Sequence, residues 1–439
     1  MSLIGIISSD VALNAQIQQE FANKCGKRYL LRFTETKDGI MELLNFDLPE
    51  IVIINFSDPK VDIEAIIEKI RSDSWLHNFG IVGIYNKKDK DEQELYKFTK
   101  GLNMLILIER SKLGSHLIKN IHIIDKNRQI IFQWELADKL VEKVSGSFII
   151  DNDPIAVPVY ASLAATSMAQ RGYISDEAKM NLIIALTELI LNGIEHGNCN
   201  ITYDEKTEFL NHGGSITELV QKKCQDPEVS AKRVTFEWEL APKASKFVIR
   251  DEGKGFNVLA LKEKLRTRDP LSLHGRGIMM ASMFSSRLSY NSKGNVATLI
   301  VKHDQHVSKE APLGFAAEEI VFTQPGDVIF REGESSDFLY YISSGRFKVF
   351  HQGREVGILI PSDIFMGEMS FLLNNRRSAT VRAESPGKLI KISRRAFISV
   401  VKRYPHYGIF LSKLLARKLS RMNRASAIYQ SKANSLLHK

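Results

Sequence analysis

The chain has 439 residues, 44% hydrophobic and 25% charged, the balance of a globular protein of roughly two to four domains. Its formal net charge of +9 has a local origin, because residues 401–439 hold nine Lys and Arg and no Asp or Glu. No apolar run is long enough to span a bilayer, the N-terminus lacks a basic leader, and Cys25, Cys199 and Cys224 are too few and scattered for a disulfide framework or a metal knuckle, so a reducing cytoplasm is expected.

Residues 1–125 alternate short apolar runs with amphipathic stretches. Ile4–Ile7, Tyr29–Phe33, Ile51–Asn55, Gly80–Ile84 and Met104–Ile108 are predicted strands, and Asp58–Ser72 is among the predicted helices. Five such units imply a parallel sheet covered on both faces. The pattern is similar to an α/β flavodoxin-like receiver domain of response regulators. That resemblance implies a phosphoacceptor Asp ending the third strand, an acidic pair ending the first, a hydroxyl on the fourth and a Lys on the fifth. Here Asn55 stands at the phosphoacceptor position, Ser8-Ser9 leave only Asp10, Tyr85 lies near the hydroxyl position and Ile108 near that of the Lys. An amide does not accept a phosphoryl group as a carboxylate does, and one carboxylate holds magnesium poorly. The expectation is a pseudo-receiver without a phosphosite, used for docking or dimerisation. A connector, 126–147, follows, with a predicted helix over Glu135–Val144. His122, the last His before the next domain, sits in Ile121-His122-Ile123-Ile124, which is predicted as strand-like.

Residues 148–303 carry three motifs in order. The first ends a predicted helix, Ala178–Ile194: Glu188-Leu189-Ile190-Leu191-Asn192-Gly193-Ile194-Glu195-His196-Gly197. Glu188 and Asn192 are four apart and share a helix face, which suits a divalent metal and its water. The second is Asp251-Glu252-Gly253-Lys254-Gly255-Phe256, at the end of a predicted strand, where glycines let the backbone pass close to a ligand. The third is Gly275-Arg276-Gly277 after His274, opening a helical run whose amides would cradle phosphate. Together they resemble the N, G1 and G2 boxes of the ATP-binding domain shared by gyrase B, Hsp90, histidine kinases and MutL, the GHKL type, an α+β sandwich. The resemblance implies Glu188 as general base, Asn192 as the Mg2+ ligand and Asp251 as acceptor for the adenine amino group. It further implies His196, Gly253, Gly255, Gly275, Arg276, Gly277 and Thr298 around ATP. Asn257–Leu273, with Arg266 and Arg268, would be the lid. The compact form looks most like anti-sigma-factor serine kinases, which implies a small anti-sigma-factor antagonist or a sigma factor as partner. Residues 200–232 are an insertion relative to the shortest members.

A polar linker, 304–312, leads into a β-rich segment from Leu313, with turns at Pro325-Gly326-Asp327, Glu332-Gly333-Glu334 and Ser344-Gly345-Arg346. Within it lie Gly367-Glu368-Met369-Ser370-Phe371 and Arg376-Arg377-Ser378-Ala379-Thr380. These resemble the phosphate-binding cassette of cyclic-nucleotide-binding domains, a β jelly roll with C-terminal helices. A forked guanidinium matches a cyclic phosphate, and Arg377 holds that position. Glu368 would accept the ribose hydroxyl, and the amides near Gly367 and Ala379 would complete the cradle. Ser378 is compatible with cAMP and with cGMP. Ile364-Phe365-Met366 lengthens the entry to the cassette, and Ser362 replaces a common glycine. Leu411, Leu414, Leu415, Leu419 and Met422 form one stripe of a terminal helix, expected to pack on the β domain or on a second subunit. Too little chain follows for a helix-turn-helix, so no direct DNA binding is expected and the basic tail is taken as a solvated helix face.

The sequence thus predicts a bacterial cytoplasmic signalling protein of three domains, 1–125, 148–303 and 313–439, forming a homodimer. It would be an ATP-dependent serine kinase of the anti-sigma type with cAMP or cGMP as effector. The alternatives are a partner-binding switch without phosphotransfer and an atypical histidine kinase.

Overall fold

The computed structural model describes residues 2–73, 76–77, 79–127, 144–171, 173–241, 244–258, 287–303 and 312–416. They fall into two compact units, one drawn from Met1–Arg110 and Ser308–Lys439, the other from Ser111–Asn127 and Val141–Val307.

The first unit opens with strands β1 (Ser2–Ile7), β2 (Tyr29–Thr34), β3 (Ile51–Asn55), β4 (Gly80–Tyr85) and β5 (Met104–Glu109). They form a parallel sheet in the order β2-β1-β3-β4-β5, the doubly wound order that places ligands outside the carboxyl ends of the strands. Every residue of β3 and β4 is buried, so both faces are covered and the apolar runs are continuous rather than alternating. The helix foreseen from Asp58 begins later, at Ile63–Ser72, capped by Asp62. Asp58 is instead held in the loop, its carboxylate accepting from the amides of Ser9 (2.5 Å) and Lys60 (3.0 Å).

In the second unit, β6 (Val144–Ile150), β7 (Val234–Leu240), β8 (Ala244–Arg250), β9 (Arg287–Tyr290) and β10 (Val296–Lys302) form an antiparallel sheet in the order β6-β7-β8-β10-β9. Burial alternates along β7, β8 and β10, as in a sheet with one face packed. Helices Val157–Gln170 and Asp176–Asn192 belong to the same layered unit; Tyr160 of the first lies 5.1 Å from Phe148 of β6. Two expectations are corrected in this unit. The sheet starts at Val144, ahead of Phe148, and Val144 is strand rather than helix; 135–143 lie outside the described residues. Ile121-His122-Ile123-Ile124 is not strand-like but part of the helix Leu113–Lys126, which buries Leu117, Ile118, Ile121 and Ile124 and belongs to this unit rather than to the parallel-sheet unit. The 200–232 insertion forms the helices Tyr203–Asn211, Ile216–Lys223 and Pro227–Ala231.

The remaining strands are β11 (Glu319–Thr323), β12 (Val328–Phe330), β13 (Phe338–Ser344), β14 (Phe347–His351), β15 (Arg354–Leu359), β16 (Phe365–Met366), β17 (Thr380–Ala383) and β18 (Gly387–Ser393). They make two four-stranded antiparallel sheets, β11-β18-β13-β16 and β12-β17-β14-β15, around Ile342, Phe347, Met366, Val381 and Leu389. Gly326, Gly333 and Gly345 sit at φ of +97°, +83° and +100°, the region only glycine enters freely, so the three turns fall where the sequence put them. Helix Arg394–Arg403 and a helix over 405–416 follow. Leu411 and Leu414 pack with Phe315, Tyr341 and Phe371, so that part of the stripe covers the β sandwich; Leu419 and Met422 lie outside the described residues. Among the described residues no helix is long and apolar enough to cross a membrane.

Candidate functional site

Ser175 caps the Asp176–Asn192 helix, its hydroxyl accepting from the Ala178 amide at 3.2 Å. The helix carries Glu188 and Asn192, both half-buried, on one face. It then widens into a π-helical turn, Gly193–Asn198, an irregularity that recurs at functional sites. Burial pushes the Glu188 carboxyl above its ordinary range; Lys206 pulls it back and Glu195 adds to the rise. Glu195, one turn further on and buried, is paired with Lys206 at 2.5 Å.

The π-helical turn packs directly on the end of β8. A side chain at Gly197 would put its Cβ 2.5 Å from Asp251 Cγ, and one at Gly253 would overlap the Gly197 carbonyl. Both glycines are therefore required for the first two motifs to approach each other. The Cβ position of Gly193, next to Asn192, is 3.5 Å from the Asp251 Cβ. Fully buried Asn198 joins the segments: its Oδ1 accepts from the Glu252 amide and its Nδ2 donates to Asn152 Oδ1, each at 2.8 Å. Asn295 closes the other side, donating to the Asp251 carbonyl at 3.0 Å and accepting from the Asp251 amide on its own carbonyl at 3.1 Å. Burial raises the Asp251 carboxyl, against a hydrogen bond from the Gly253 amide. Asn198 and Asn295 were not singled out by the sequence, where both look like the polar ends of motifs.

Other expected residues stand elsewhere. Gly255, at φ +78°, backs onto the Lys293 carbonyl and so shapes the loop rather than facing Asp251. His196 donates from Nδ1 to the Ile201 carbonyl at 2.6 Å and packs on Tyr203, which fixes the start of the insertion. Thr298 is corrected by register. Ala297 pairs with Ile249 and Thr298 with Val248, and Ala297, Ile249 and Phe247 are the buried set. By strand alternation Asp251 shares its face with Ile249 and Ala297, and Thr298 lies on the other face. Gly275, Arg276, Gly277 and most of the expected lid, with Arg266 and Arg268, lie outside the described residues.

In the β sandwich, Gly367 has φ +77° and starts helix Glu368–Leu373. Arg377, 3% exposed, folds onto it. Its Nη1 donates to the Gly367 carbonyl (2.9 Å) and the Ser370 hydroxyl (3.2 Å), and its Nη2 to the Phe338 carbonyl. The guanidinium lies 4.3 Å over the Phe330 ring, and among the described residues its Nε has no partner. Burial lowers its pKa, against nearby Tyr340, Asp337, Glu334 and Glu368. The Arg377 backbone is held at both ends, its amide donating to the Glu334 carbonyl (2.9 Å) and its carbonyl accepting from the Gly333 amide (2.8 Å). Glu368 is buried, Ala379 half-buried and Ser378 exposed, the Ser378 carbonyl accepting from His351. The lengthened entry is accommodated by Ile364 at φ +67°, a strained value for a β-branched residue. The chain thus brings Gly367, Ser370 and a buried cation into one cradle.

At the carboxyl ends of β1 and β3, Asn55 donates to Ser8 Oγ at 3.3 Å and Ser9 Oγ to Asp58 at 2.7 Å. Asp10 caps the Val11–Cys25 helix through Leu13 and pairs with Arg110. Both carboxylates near Asn55 are therefore engaged in holding the loops.

Residues 150–301 match the family described as histidine kinase-like ATPase domain, and residues 320–404 match the cyclic nucleotide-binding domain. Among curated proteins, the chain is similar to the cAMP-dependent protein kinase type II regulatory subunit of Drosophila melanogaster. The two are 33% identical over 24% of this chain and 30% of that protein. It is also similar to the cyclic AMP receptor protein of Thermus thermophilus, 33% identical over 21% of this chain and 45% of that one. A further match, a lysophospholipase nte1 of Neurospora crassa, is 28% identical over 24% of this chain and 7% of its own length. The chain thus spans less than half of each of these relatives. Among solved structures, the catabolite activator protein of Thermus thermophilus is 27% identical over 28% of this chain and 59% of that chain, with a TM-score of 0.26. Two separate segments of the chain thus match a histidine kinase-like ATPase domain and a cyclic nucleotide-binding domain.

Proposed function

We propose that the chain is an ATP-dependent signalling regulator that transfers phosphate to a serine of a small antagonist protein, as anti-sigma-factor kinases do, with cAMP or cGMP setting its output. The observation that carries the ATP reading is the close packing of Gly197, Gly253 and Asn198 around Asp251. It leaves Asp251 as a half-buried acceptor beside the end of the helix that bears Asn192. An amide oxygen at Asn192 is a suitable hard donor for Mg2+, which would neutralise phosphate charge. Glu188, raised by burial, is tuned toward the range of a general base. Its task is to take the proton of the attacking serine hydroxyl.

In the sensor, Arg377 would turn from its own cassette toward the cyclic phosphate, with Glu368 accepting from the ribose. For the N-terminal sheet, the order β2-β1-β3-β4-β5 supports the receiver-like reading. Asn55 and the engaged Asp10 and Asp58 support its use as a pseudo-receiver; an acyl phosphate formed with acetyl phosphate would overturn that. A homodimer, a cytoplasmic location and an antagonist or sigma factor as partner complete the proposal.

The deciding experiment incubates purified protein with γ-labelled ATP and magnesium, with and without cAMP or cGMP, beside candidate antagonist proteins. Label on a serine, varying with the cyclic nucleotide, supports the kinase. ATP binding without transfer supports the second reading, a partner-holding switch. Acid-labile label on His122, which stands on a helix but is followed by Ile123, would support a histidine kinase instead.

A further inference from the structure

The helix over 405–416 makes a second contact that nucleotide chemistry does not require. The cluster of Phe315, Tyr341, Phe365 and Phe371 that receives Tyr407, Phe410 and Leu414 also takes in Leu76, and Leu48 packs against it, both from the parallel-sheet domain of the same unit. Polar contacts surround this apolar seam. Tyr407 donates its hydroxyl to Asp73 Oδ1 at 2.5 Å, and Lys413 Nζ donates to the Asp47 carbonyl at 2.8 Å. The His406 ring meets Phe46 edge-on at 6.1 Å. Asp73 is wholly buried and paired with Lys69 at 2.8 Å. A buried carboxylate needs every partner it has, and Tyr407 is the one supplied by the sensor.

From Tyr407 a line of rings leads back to the phosphate cassette. Phe315 lies 6.0 Å from Tyr407 and stacks on Phe397 at 6.4 Å; Phe397 meets Phe371 edge-on at 5.5 Å. Phe371 sits on the Glu368–Leu373 helix, which starts at Gly367, the residue whose carbonyl Arg377 holds. Arg394 pins the same helix, donating to the Phe371 carbonyl at 2.6 Å and lying 4.6 Å over its ring.

We infer that the parallel-sheet domain is the dock for the terminal helix of the sensor, and that cyclic nucleotide at Arg377 loosens that dock. The arrangement that docks is the one in which Arg377 is paired with Gly367, Ser370 and Phe338. A cyclic phosphate competes with those acceptors for the Arg377 guanidinium, frees the start of the cassette helix and shifts Phe371 against Phe397. Packed aromatic seams move between discrete arrangements rather than deforming smoothly, so the shift reaches Tyr407 as a loss of fit. Reciprocity follows: whatever loosens the dock strengthens cyclic-nucleotide binding. The inference rests on the sensor reading above.

The test uses the full chain. Fluorescent cAMP and cGMP are titrated into wild type, Tyr407→Phe and Lys413→Ala, with Arg377→Ala as control, and hydrogen exchange is followed at 43–48 and 69–77. The expected result is several-fold tighter binding in Tyr407→Phe and Lys413→Ala, and faster exchange at both segments of wild type on saturation. Lys413→Ala serves if Tyr407→Phe fails to fold. Binding that depends on Arg377 but is unchanged or weaker in the dock variants, with exchange unaltered, overturns the dock while leaving the sensor intact. No binding of either nucleotide to wild type overturns the sensor reading and this coupling together.

Discussion

Asn198 shows how a side chain can govern a site without touching a ligand. Its buried amide accepts from the Glu252 N–H and donates to the Asn152 side chain, which lie at the edge of the solvent. Asn198→Ala removes both bonds, at about 0.5–1.5 kcal/mol each. The expected outcome is a lower melting temperature together with weaker binding of a fluorescent ATP analogue; unchanged analogue binding would make Asn198 a purely structural residue. Glu188→Gln keeps the shape of the side chain and removes its basicity. With a competent antagonist substrate, turnover should fall by about 10²–10⁴-fold, the usual share of a general base, while ATP binding persists. Arg377→Ala removes the only buried cation of the cassette cradle among the described residues. Cyclic-nucleotide affinity should fall by at least roughly 30-fold, from about 2 kcal/mol or more for an unpaired buried anion, with ATP-analogue binding intact. Glu188, Asn192, Asp251 and Arg377 could be proposed from the sequence because their residue types sit in spaced motifs with glycines. Asn198 could not, because an Asn ending a motif carries no sign of where its amide points. Thr298 was misplaced because its face depends on the β8–β10 register, and register is a property of two strands rather than of one.

At the scale of elements, the apolar runs marked all five parallel strands to within two residues, most directly β3 and β4, whose residues are buried on both faces. The same simplicity misled at Ile121-His122-Ile123-Ile124, where a short apolar run does not distinguish a strand from the buried side of a helix. The cassette helix has a sharper test. Gly367 has φ +77°, and an added Cβ would meet the Arg377 guanidinium. Gly367→Ala should cost about 1–2 kcal/mol for the left-handed backbone alone and displace Arg377. Loss of cyclic-nucleotide binding with only a modest fall in melting temperature is the expected pair of readings. Another element carries a pH dependence. His77, just beyond the Ile63–Ser72 helix, bonds Asn45 at 3.0 Å and faces Asp73, Lys69 and His406. Burial lowers its pKa from 6.5 to about 4. The folded imidazole stays neutral while the unfolded one takes a proton, so its contribution is whole above 6.5. It is lost as pH falls toward 4, by up to about 3 kcal/mol. Asp73, also lowered, titrates at still lower pH and acts in the same direction. Urea unfolding should show the parallel-sheet unit weakening as pH falls from about 6.5 to about 4, and His77→Gln should flatten that slope.

At the scale of the molecule, the two ends of the described chain lie in one unit while the ATPase-like domain belongs to the other. The Tyr407–Asp73 and Lys413–Asp47 bonds span 334 and 366 residues of sequence. No local pattern announces such a pair: Asp73 and Tyr407 look like an ordinary helix-end acid and an ordinary aromatic. The separation has a consequence during synthesis. The ribosome makes the Leu76 and Asp73 surface first and the helix that covers it last, and at about 5–20 residues per second the interval is roughly 20–70 seconds. Throughout that time the nascent parallel-sheet domain presents a bare apolar seam and a half-paired buried acid. The first unit is thus completed after the second has emerged, and its newborn surface is the place where a chaperone would be needed.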